Sequence, residues 1–235
     1  MTHRSEPHVL TVITQSIYCK TVSLIENKDT LKLQKARKMF YDVDKADSSS
    51  TIHAITQVFK EYIDYANYLT SENSYKYASS KLESLNFIAN DISNFANLIS
   101  REHFTDKANY WTAGLFISAA VNKIIKKDER MIMSFGNLRH PVDCIGYKLV
   151  QGIITLQDNA GDYLGESMSG GEIIIQGNAG NYVGYAMSGG KIIIHGNVGD
   201  HIGSYMSGGI IQVEGQVGSI AKSCKGRIHH GSTSV

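Results

Sequence analysis

The sequence predicts an α + β protein, with an α-helical bundle at its N-terminal end and a parallel β-helix built from 19-residue coils at its C-terminal end. Three observations support this prediction. Glycine is almost confined to the second half of the chain, apolar residues recur at helical spacing in the first half, and one glycine-rich motif repeats at a constant interval in the second half.

The distribution of glycine places the boundary between the two parts. Of the 22 glycines, only Gly114 precedes the second half. Glycine destabilises a helix interior by about 1 kcal/mol relative to alanine, whereas turns that need a positive φ favour it. We therefore predict a helical domain over residues 1–128 and a β-helical domain over residues 129–235, with the best repeats in 142–218 and a degenerate cap in 219–235.

The first domain contains three stripes of apolar residues with the period of an amphipathic helix. Residues 31–41 resemble a further short helix. Residues 8–25 are rich in β-branched residues, and although their spacing favours a helix, a strand stays open. The three stripes consist of Ile52, Ile55, Phe59, Tyr62, Ala66 and Leu69; of Leu82, Leu85, Ile88, Ile92, Phe95 and Ile99; and of Tyr110, Ala113, Ile117, Val121 and Ile124.

The second domain repeats the pattern G-x-x-x-M-S-G-G-x-I-x-I-x-G-N-x-G every 19 residues. A constant period of this length indicates one supersecondary unit that stacks on itself. Nineteen residues suit one coil of a parallel β-helix, with two or three short strands separated by glycine corners. The repeated positions are Gly161, Gly180 and Gly199; Gly165, Gly184 and Gly203; Met168, Met187 and Met206; Gly171, Gly190 and Gly209; and Asn178 and Asn197.

Stacked coils bring equivalent residues of successive repeats about 4.8 Å apart. We therefore expect inward columns of isoleucine and methionine, and an amide ladder that hydrogen-bonds from coil to coil. Ion pairs and rings should stack in the same way on the outer faces. The expected sets are Ile173, Ile192 and Ile211; Asn178, Asn197 and Gln216; Glu172 with Lys191; His195 with Glu214; and Tyr163, Tyr182 and His201.

The two ends of a β-helix are unpaired strand edges, which proteins usually cover. We expect the helical domain to cover the first coil and the basic tail KSCKGRIHHG to cover the last. Alternatively, the edges or the flat faces meet a second copy of the chain.

The repeat resembles the GXGXG domain, which closes the large subunit of glutamate synthase and forms much of the third subunit of formylmethanofuran dehydrogenase. The resemblance spans residues from about 130 to 220 and rests on the MSGG element in three registers. It implies a right-handed β-helix that acts as a structural spacer between catalytic parts and contributes no catalytic residue. The helical domain resembles neither relative in any motif.

Composition narrows the classes of partner. The formal net charge is +1, without a clustered basic face, which argues against nucleic acid and a membrane surface as partners. Cys19, Cys144 and Cys224 are scattered without CxxC spacing, as is typical of a reducing compartment. The start of the chain lacks the pattern of a signal peptide, and no run of apolar residues is long enough to cross a membrane. We expect a cytoplasmic protein.

Candidate chemistry is sparse in this sequence. The glycines match neither pattern of phosphate-binding loop, and the cysteines of the β-helical domain fit as small apolar residues. We predict no catalytic residue, no cofactor and no metal site. The weak candidates for ligand contacts are Arg139, His140, Tyr147 and His195.

These observations favour a non-catalytic scaffold that forms a homo-oligomer or docks an enzyme partner. One alternative is a subunit or relative of a glutamate-synthase-like or formylmethanofuran-dehydrogenase-like oxidoreductase. Another is a small-molecule binding module, with the ligand between the helices and the first coils, near Arg139, His140 and Tyr147.

Overall fold

The computed structural model describes residues 50–66, 69–99, 107–136, 138, 140–231 and 233–234. Within these residues, four helices are followed by a parallel β-solenoid, as the sequence predicts. Our expectations for residues 8–25 and 31–41 and for Arg139 lie outside the described residues. The helices are α1 (Ser50–Ala66), α2 (Ser71–Leu82), α3 (Ala89–Ile99) and α4 (Lys107–Ile124).

Helices α1 and α4 follow the first and third apolar stripes, and this prediction is confirmed. Their stripe residues surround an aromatic cluster, in which the rings of Phe59, Phe95 and Phe116 lie 5.0–5.6 Å apart between centroids. Helix α4 is apolar on most of its surface because it packs against the other three helices. Such a helix belongs at the centre of a domain.

The second stripe does not form one helix, and that part of the prediction is wrong. Helix α2 ends at Leu82, α3 begins at Ala89, and Ile88 between them is 65% exposed. Capping explains the break. The ammonium group of Lys123 donates to three carbonyl oxygens at the end of α2, at 2.6–2.8 Å, and the carboxylate of Asp91 accepts from the N–H of Ile88 at 2.9 Å.

The solenoid is one sheet whose strands lie in chain order. Six strands are parallel and each pairs with the next. The three middle pairings follow the 19-residue repeat, so that Ile173 pairs with Ile192 and Ile192 with Ile211, whereas the first and last pairings have offsets of 23 and 17 residues. Each coil contributes one strand of four residues, fewer than the two or three strands that we predicted. The strands are β1 (Arg130–Met133), β2 (Ile153–Leu156), β3 (Glu172–Ile175), β4 (Lys191–Ile194), β5 (Ile210–Val213) and β6 (Arg227–His230), with β7 (Thr233–Ser234) antiparallel to β6.

Ala179, Val198 and Val217 pair between coils only as isolated parallel bridges, and each of four successive coils also contains a left-handed turn. In the coil of Tyr163, both Tyr163 and Ser167 have a positive φ, at 57° and 56°. Their N–H groups still point along the solenoid axis and donate to the carbonyl oxygens of Asn181 and Tyr185 in the next coil, at 2.9 and 2.8 Å. The turn therefore satisfies its backbone polar groups from coil to coil without strand geometry.

The interior consists of the predicted columns. Ile173, Ile192 and Ile211 are fully buried, and the same holds for Met168, Met187 and Met206. Both predictions are confirmed.

The amide ladder forms, although its hydrogen bonds differ from those that we expected. The side-chain oxygens of Asn178 and Asn197 accept from the backbone N–H of Asn197 and Gln216, at 2.7 and 2.8 Å. A second ladder of this kind, absent from our prediction, runs through Asp143, Asp162, Asn181 and Asp200.

Both ends of the solenoid are covered. Helix α4 lies across the first coil, where the hydroxyl of Ser118 donates to the carbonyl oxygen of Cys144 at 2.9 Å and accepts from the N–H of Gly146 at 3.0 Å. The hydroxyl of Ser93 on α3 donates to the carbonyl oxygen of Ile132 in β1 at 2.8 Å. At the other end the tail forms β6 in register, and β7 pairs along its outer edge.

Candidate functional site

One side of the solenoid presents a continuous row of aromatic side chains, which we call the aromatic face. It begins at α4, beside the first coil, and follows the left-handed turns of the next three coils. All of its members are at least partly exposed to solvent. They are Trp111, Tyr163, Tyr182, Tyr185, His201 and Tyr205.

The rings of the aromatic face contact one another in a fixed order. The ring of Tyr182 stacks between those of Tyr163 and His201, with centroids 4.8 and 4.9 Å apart and planes tilted by 13° and 17°. This stack confirms the prediction that His201 continues the column of the two tyrosines. Trp111 meets Tyr163 edge to face at 4.8 Å, which joins the helical domain to the stack.

The backbone directs these side chains away from the core. Tyr163, Tyr182 and His201 have φ values of 57°, 58° and 63°, and Tyr205 has 57°. Residues other than glycine, asparagine and aspartate rarely adopt this region, which costs on the order of 1–3 kcal/mol per residue. The same backbone conformation recurs in successive coils, and at these four positions it places a ring on one side of the solenoid.

The carboxyl group of Glu166 lies at the head of this face. Glu166 occupies the same position in its coil as Tyr147 and Tyr185 in the coils before and after. Burial raises its pKa to about 7, and the thiol of Cys144 at 3.9 Å and the positive charge of Lys148 only partly oppose that rise. No Lys, Arg or His nitrogen of the described residues forms an ion pair with this carboxylate.

Cys144 lies behind Glu166 and is fully buried. Burial, together with the neighbouring carboxylates of Glu166 and Asp143, raises the pKa of its thiol well above the ordinary value. A thiol is a nucleophile only as the thiolate, so Cys144 is held in its unreactive form. It packs as the small apolar residue that we predicted.

A charged network beside the face joins α2 to the first coil. The carboxylate of Glu72 contacts the ammonium of Lys148, accepts from the hydroxyl of Tyr147 at 3.1 Å and lies 3.1 Å from the ammonium of Lys76. The hydrogen bonds from Lys148 and Lys76 lower the pKa of Glu72 to about 2. Lys148 is therefore committed to Glu72 and does not neutralise Glu166.

The three described ligand candidates each make a separate contact. Tyr147 is buried and bonded to Glu72, whereas His140 is exposed and meets the ring of Tyr110 edge to face at 5.5 Å. His195 lies 2.8 Å from Glu214, which confirms that expected pair but places the imidazole in an exposed surface contact. Glu172 and Lys191 likewise form the expected ion pair, at 3.9 Å.

Among the described residues, no group of three or more His, Cys, Asp or Glu side chains is arranged to hold a metal ion. None of the four described helices combines the length and the apolar character that crossing a membrane requires.

Sequence reasoning found only part of the aromatic face. The repeat period aligns Tyr163, Tyr182 and His201, and this alignment was recognised. The same 19-residue spacing also aligns Tyr185 with Glu166, so both positions could have been identified from the sequence. The position of Trp111 could not, because it depends on how α4 packs on the first coil.

Comparisons of the chain with protein-family models, with curated proteins and with solved structures gave no match. The relation of the repeat to the GXGXG domain therefore stays a prediction from the motif.

The raised pKa of Glu166 makes stability depend on pH. The pKa is about 7 in the folded chain against 4.5 for an ordinary glutamate, so the folded state binds the proton more tightly and loses stability as the pH rises from about 4.5 to above 7. Glu166→Gln removes this loss. We expect the variant to exceed the parent in stability by on the order of 1 kcal/mol at pH 8, after allowance for solvent screening, and by much less at pH 5.

Thermal melts at the two pH values measure this difference, which should amount to roughly 2–4 °C at pH 8 for a chain of this size. Glu83→Gln, at an exposed carboxylate, is the control and should show no such pH dependence. A melting difference between the Glu166 variant and the parent that is equal at both pH values would contradict the assigned environment of Glu166.

Proposed function

We propose that this chain is a non-catalytic assembly protein, whose β-solenoid presents a lateral surface to a protein partner or to a second copy of the chain. We further propose that the solenoid is right-handed, the hand found for nearly all parallel crossover connections, and that it is related to the GXGXG domain. In this proposal the partner is an enzyme, and the oxidoreductases that contain GXGXG domains indicate its class.

The observation that carries the proposal is the exposed aromatic face. Tyr205 is 68% exposed, and its neighbours on the face are only partly covered. Aromatic side chains are enriched at protein interfaces, because they bury a large area and lose little conformational entropy. Here the turns of the solenoid hold five aromatic side chains on one side, and α4 adds the sixth, Trp111.

The covered ends of the solenoid strengthen this assignment. The first coil meets α4, and β7 pairs along the edge of the last strand. Edge-to-edge pairing is the usual way in which exposed strands associate, and covered edges disfavour it. With both ends covered, we propose that the solenoid associates through one of its sides.

The reactive side chains at the junction are engaged in structural contacts, which favours a binding role over a catalytic one. Cys144 is held as a thiol, and Tyr147 and Lys148 are bonded to Glu72. These contacts stabilise the junction between the domains. The hydroxyl of Tyr147, one of the candidate ligand contacts of the small-molecule alternative, is already bonded to Glu72.

The experiment is a pull-down of the tagged chain from its native cell extract, followed by native mass spectrometry of the recovered complex. We expect a stoichiometric protein partner or a defined homo-oligomer, lost in Tyr205→Ala and retained in the control Glu214→Gln on another side of the solenoid. Alanine suits this position because Ala186, one coil earlier, has a φ of 52° at the equivalent site. A monomer without partner, or turnover by the purified chain that one polar substitution abolishes, would contradict the proposal.

A further inference from the structure

Among the described residues, the half-buried carboxylate of Glu166 has no ion-pair partner, and the positive charge of Lys148 only partly offsets its burial. The charged and titratable groups packed around it are already engaged. Lys148 of the first coil pairs with Glu72 of α2, and the side-chain oxygens of Asp143 and Asp162 each accept a backbone N–H group of the coil that follows their own. The carboxylate accepts from the neutral thiol of Cys144 at 3.9 Å.

Aromatic rings near Glu166 are a second feature that favours a cation, because Trp111 and Tyr163 pack against the cluster of Cys144, whose thiol contacts the Glu166 carboxylate. Tyr185 meets Tyr163 edge to face at 5.7 Å, and Trp111 meets Tyr163 at 4.8 Å on the other side. The faces of aromatic rings attract cations, and a nearby carboxylate strengthens that attraction where water is partly excluded. Burial is the main cause that raises the pKa of the Tyr163 hydroxyl, and the charges of Tyr182 and Glu166 add to it, so Glu166 lies within electrostatic reach of Tyr163.

The length of the aromatic face indicates an extended occupant. From the coil of Tyr163 to the coil of His201 and Tyr205 there are two coil steps, or about 10 Å. This distance corresponds to about three residues of extended chain. A single small cation would leave Tyr205 uncovered.

We infer that the aromatic face binds an extended segment of a partner protein, with an arginine of that segment inserted between the carboxylate of Glu166 and the rings of Trp111 and Tyr163. Arginine fits better than lysine because its planar guanidinium stacks on rings and can make two parallel hydrogen bonds to one carboxylate. The neighbouring residues of the segment cover Tyr182 and Tyr205. This inference rests on the proposed docking function and names the chemistry of the partner.

The raised pKa of Glu166 adds a pH dependence to this recognition. The carboxylate must be ionised to pair with a guanidinium, so binding should strengthen as the pH rises from 6 through about 7 to 8. The bound cation in turn favours ionisation of Glu166 by linkage.

Trp111 allows a direct test because it is the only tryptophan of the chain. The probe is the blocked peptide acetyl-Arg-Arg-Arg-amide, titrated into the full chain while the emission of Trp111 is recorded. The control peptide replaces each arginine with citrulline, which keeps the shape and removes the charge. We expect saturable binding of the arginine peptide, at least fivefold stronger at pH 8 than at pH 6, and none of the citrulline peptide.

Two variants separate the site from general attraction between charges. Glu166→Gln should weaken binding at least tenfold at pH 8. The thermal melts proposed above check that this variant is folded. Glu214→Gln removes the same charge from another part of the solenoid and should bind like the parent. Tyr205→Ala tests the extended occupant and should weaken binding of the tripeptide at least threefold, while leaving the affinity for acetyl-Arg-amide unchanged.

Equal binding by the parent and the Glu166 variant would overturn the inference, as would equal loss in the Glu214 variant or equal binding of the citrulline peptide. If the peptides fail while the tagged chain still recovers a protein partner that Tyr205→Ala loses, the arginine inference is overturned and the docking function stands. If the chain recovers neither a partner nor a second copy, the docking function itself fails.

Discussion

Gly114→Ala is expected to disrupt the junction between the helical domain and the solenoid. A Cβ atom at this position of α4 would overlap the backbone carbonyl oxygen of Asp143, so the helix or the first coil must move. The movement would also break the hydrogen bonds of Ser118 to the backbone of Cys144 and Gly146. We expect a loss of roughly 3–5 kcal/mol from overlap and unpaired buried groups together.

This loss corresponds to a fall in melting temperature of about 10 °C for a chain of this length. Gly136→Ala is the matched control, because a Cβ there would come no closer than 3.4 Å to its nearest neighbour, the carboxylate of Asp158. Emission from Trp111 reports the junction directly, since its ring rests on Tyr163 of the solenoid. An unchanged melting temperature for Gly114→Ala would mean that α4 does not pack on the first coil as described.

Gly190→Val is expected to destabilise the coils at their repeated corner. Gly190 has a φ of 85°, which a β-branched residue does not adopt without strain. Its Cβ would also lie 2.6 Å from the methyl group of Met168 and 2.8 Å from the carbonyl oxygens of Gly170 and Gly171 in the preceding coil. Strain and overpacking together should cost about 3–5 kcal/mol.

Thermal unfolding measures this effect too, and Ser188→Val is the control, because Ser188 is exposed in the same coil and has no positive φ. The interior columns run unbroken past this corner, so the loss should appear as one cooperative transition at lower temperature. A Gly190→Val variant that melts with the parent would contradict the assigned corner geometry.

The coil register could be predicted from the sequence because side chains repeat at the same interval as backbone pairing. Ile173, Ile192 and Ile211 occupy one position of the motif, and in a parallel solenoid equivalent positions must stack. The same logic yielded the ion pair of Glu172 and Lys191. The 19-residue period was sufficient to predict these contacts, because each contact joins equivalent positions of successive repeats.

The break between α2 and α3 could not be predicted in this way. It depends on Lys123, whose ammonium group reaches the end of α2 from a distant part of the chain. The left-handed turns were missed for a different reason. Tyrosine rarely adopts a positive φ, and local preference therefore argued against the conformation that Tyr163 and Tyr182 adopt.

The environment of Glu166 was equally inaccessible to sequence reasoning. Its carboxyl group sits in the repeat at a position held by tyrosine in the adjacent coils, which marks it as unusual but does not indicate its burial. Burial follows from the tertiary packing of the helices and turns around the first coils. Gly114 stood out as the one glycine of the helical domain, yet the reason for it, the approach of the backbone at Asp143, is likewise tertiary.

The central claim is that the chain acts by docking a partner on its aromatic face, and hydrogen exchange of the recovered complex tests it most directly. Exchange of backbone N–H groups is compared between the chain alone and the chain with its co-purified partner. The account predicts slower exchange in the turns 163–167, 182–186 and 201–205, and no change in strands β3 to β5. Protection confined to those strands, with the three turns unchanged, would contradict it.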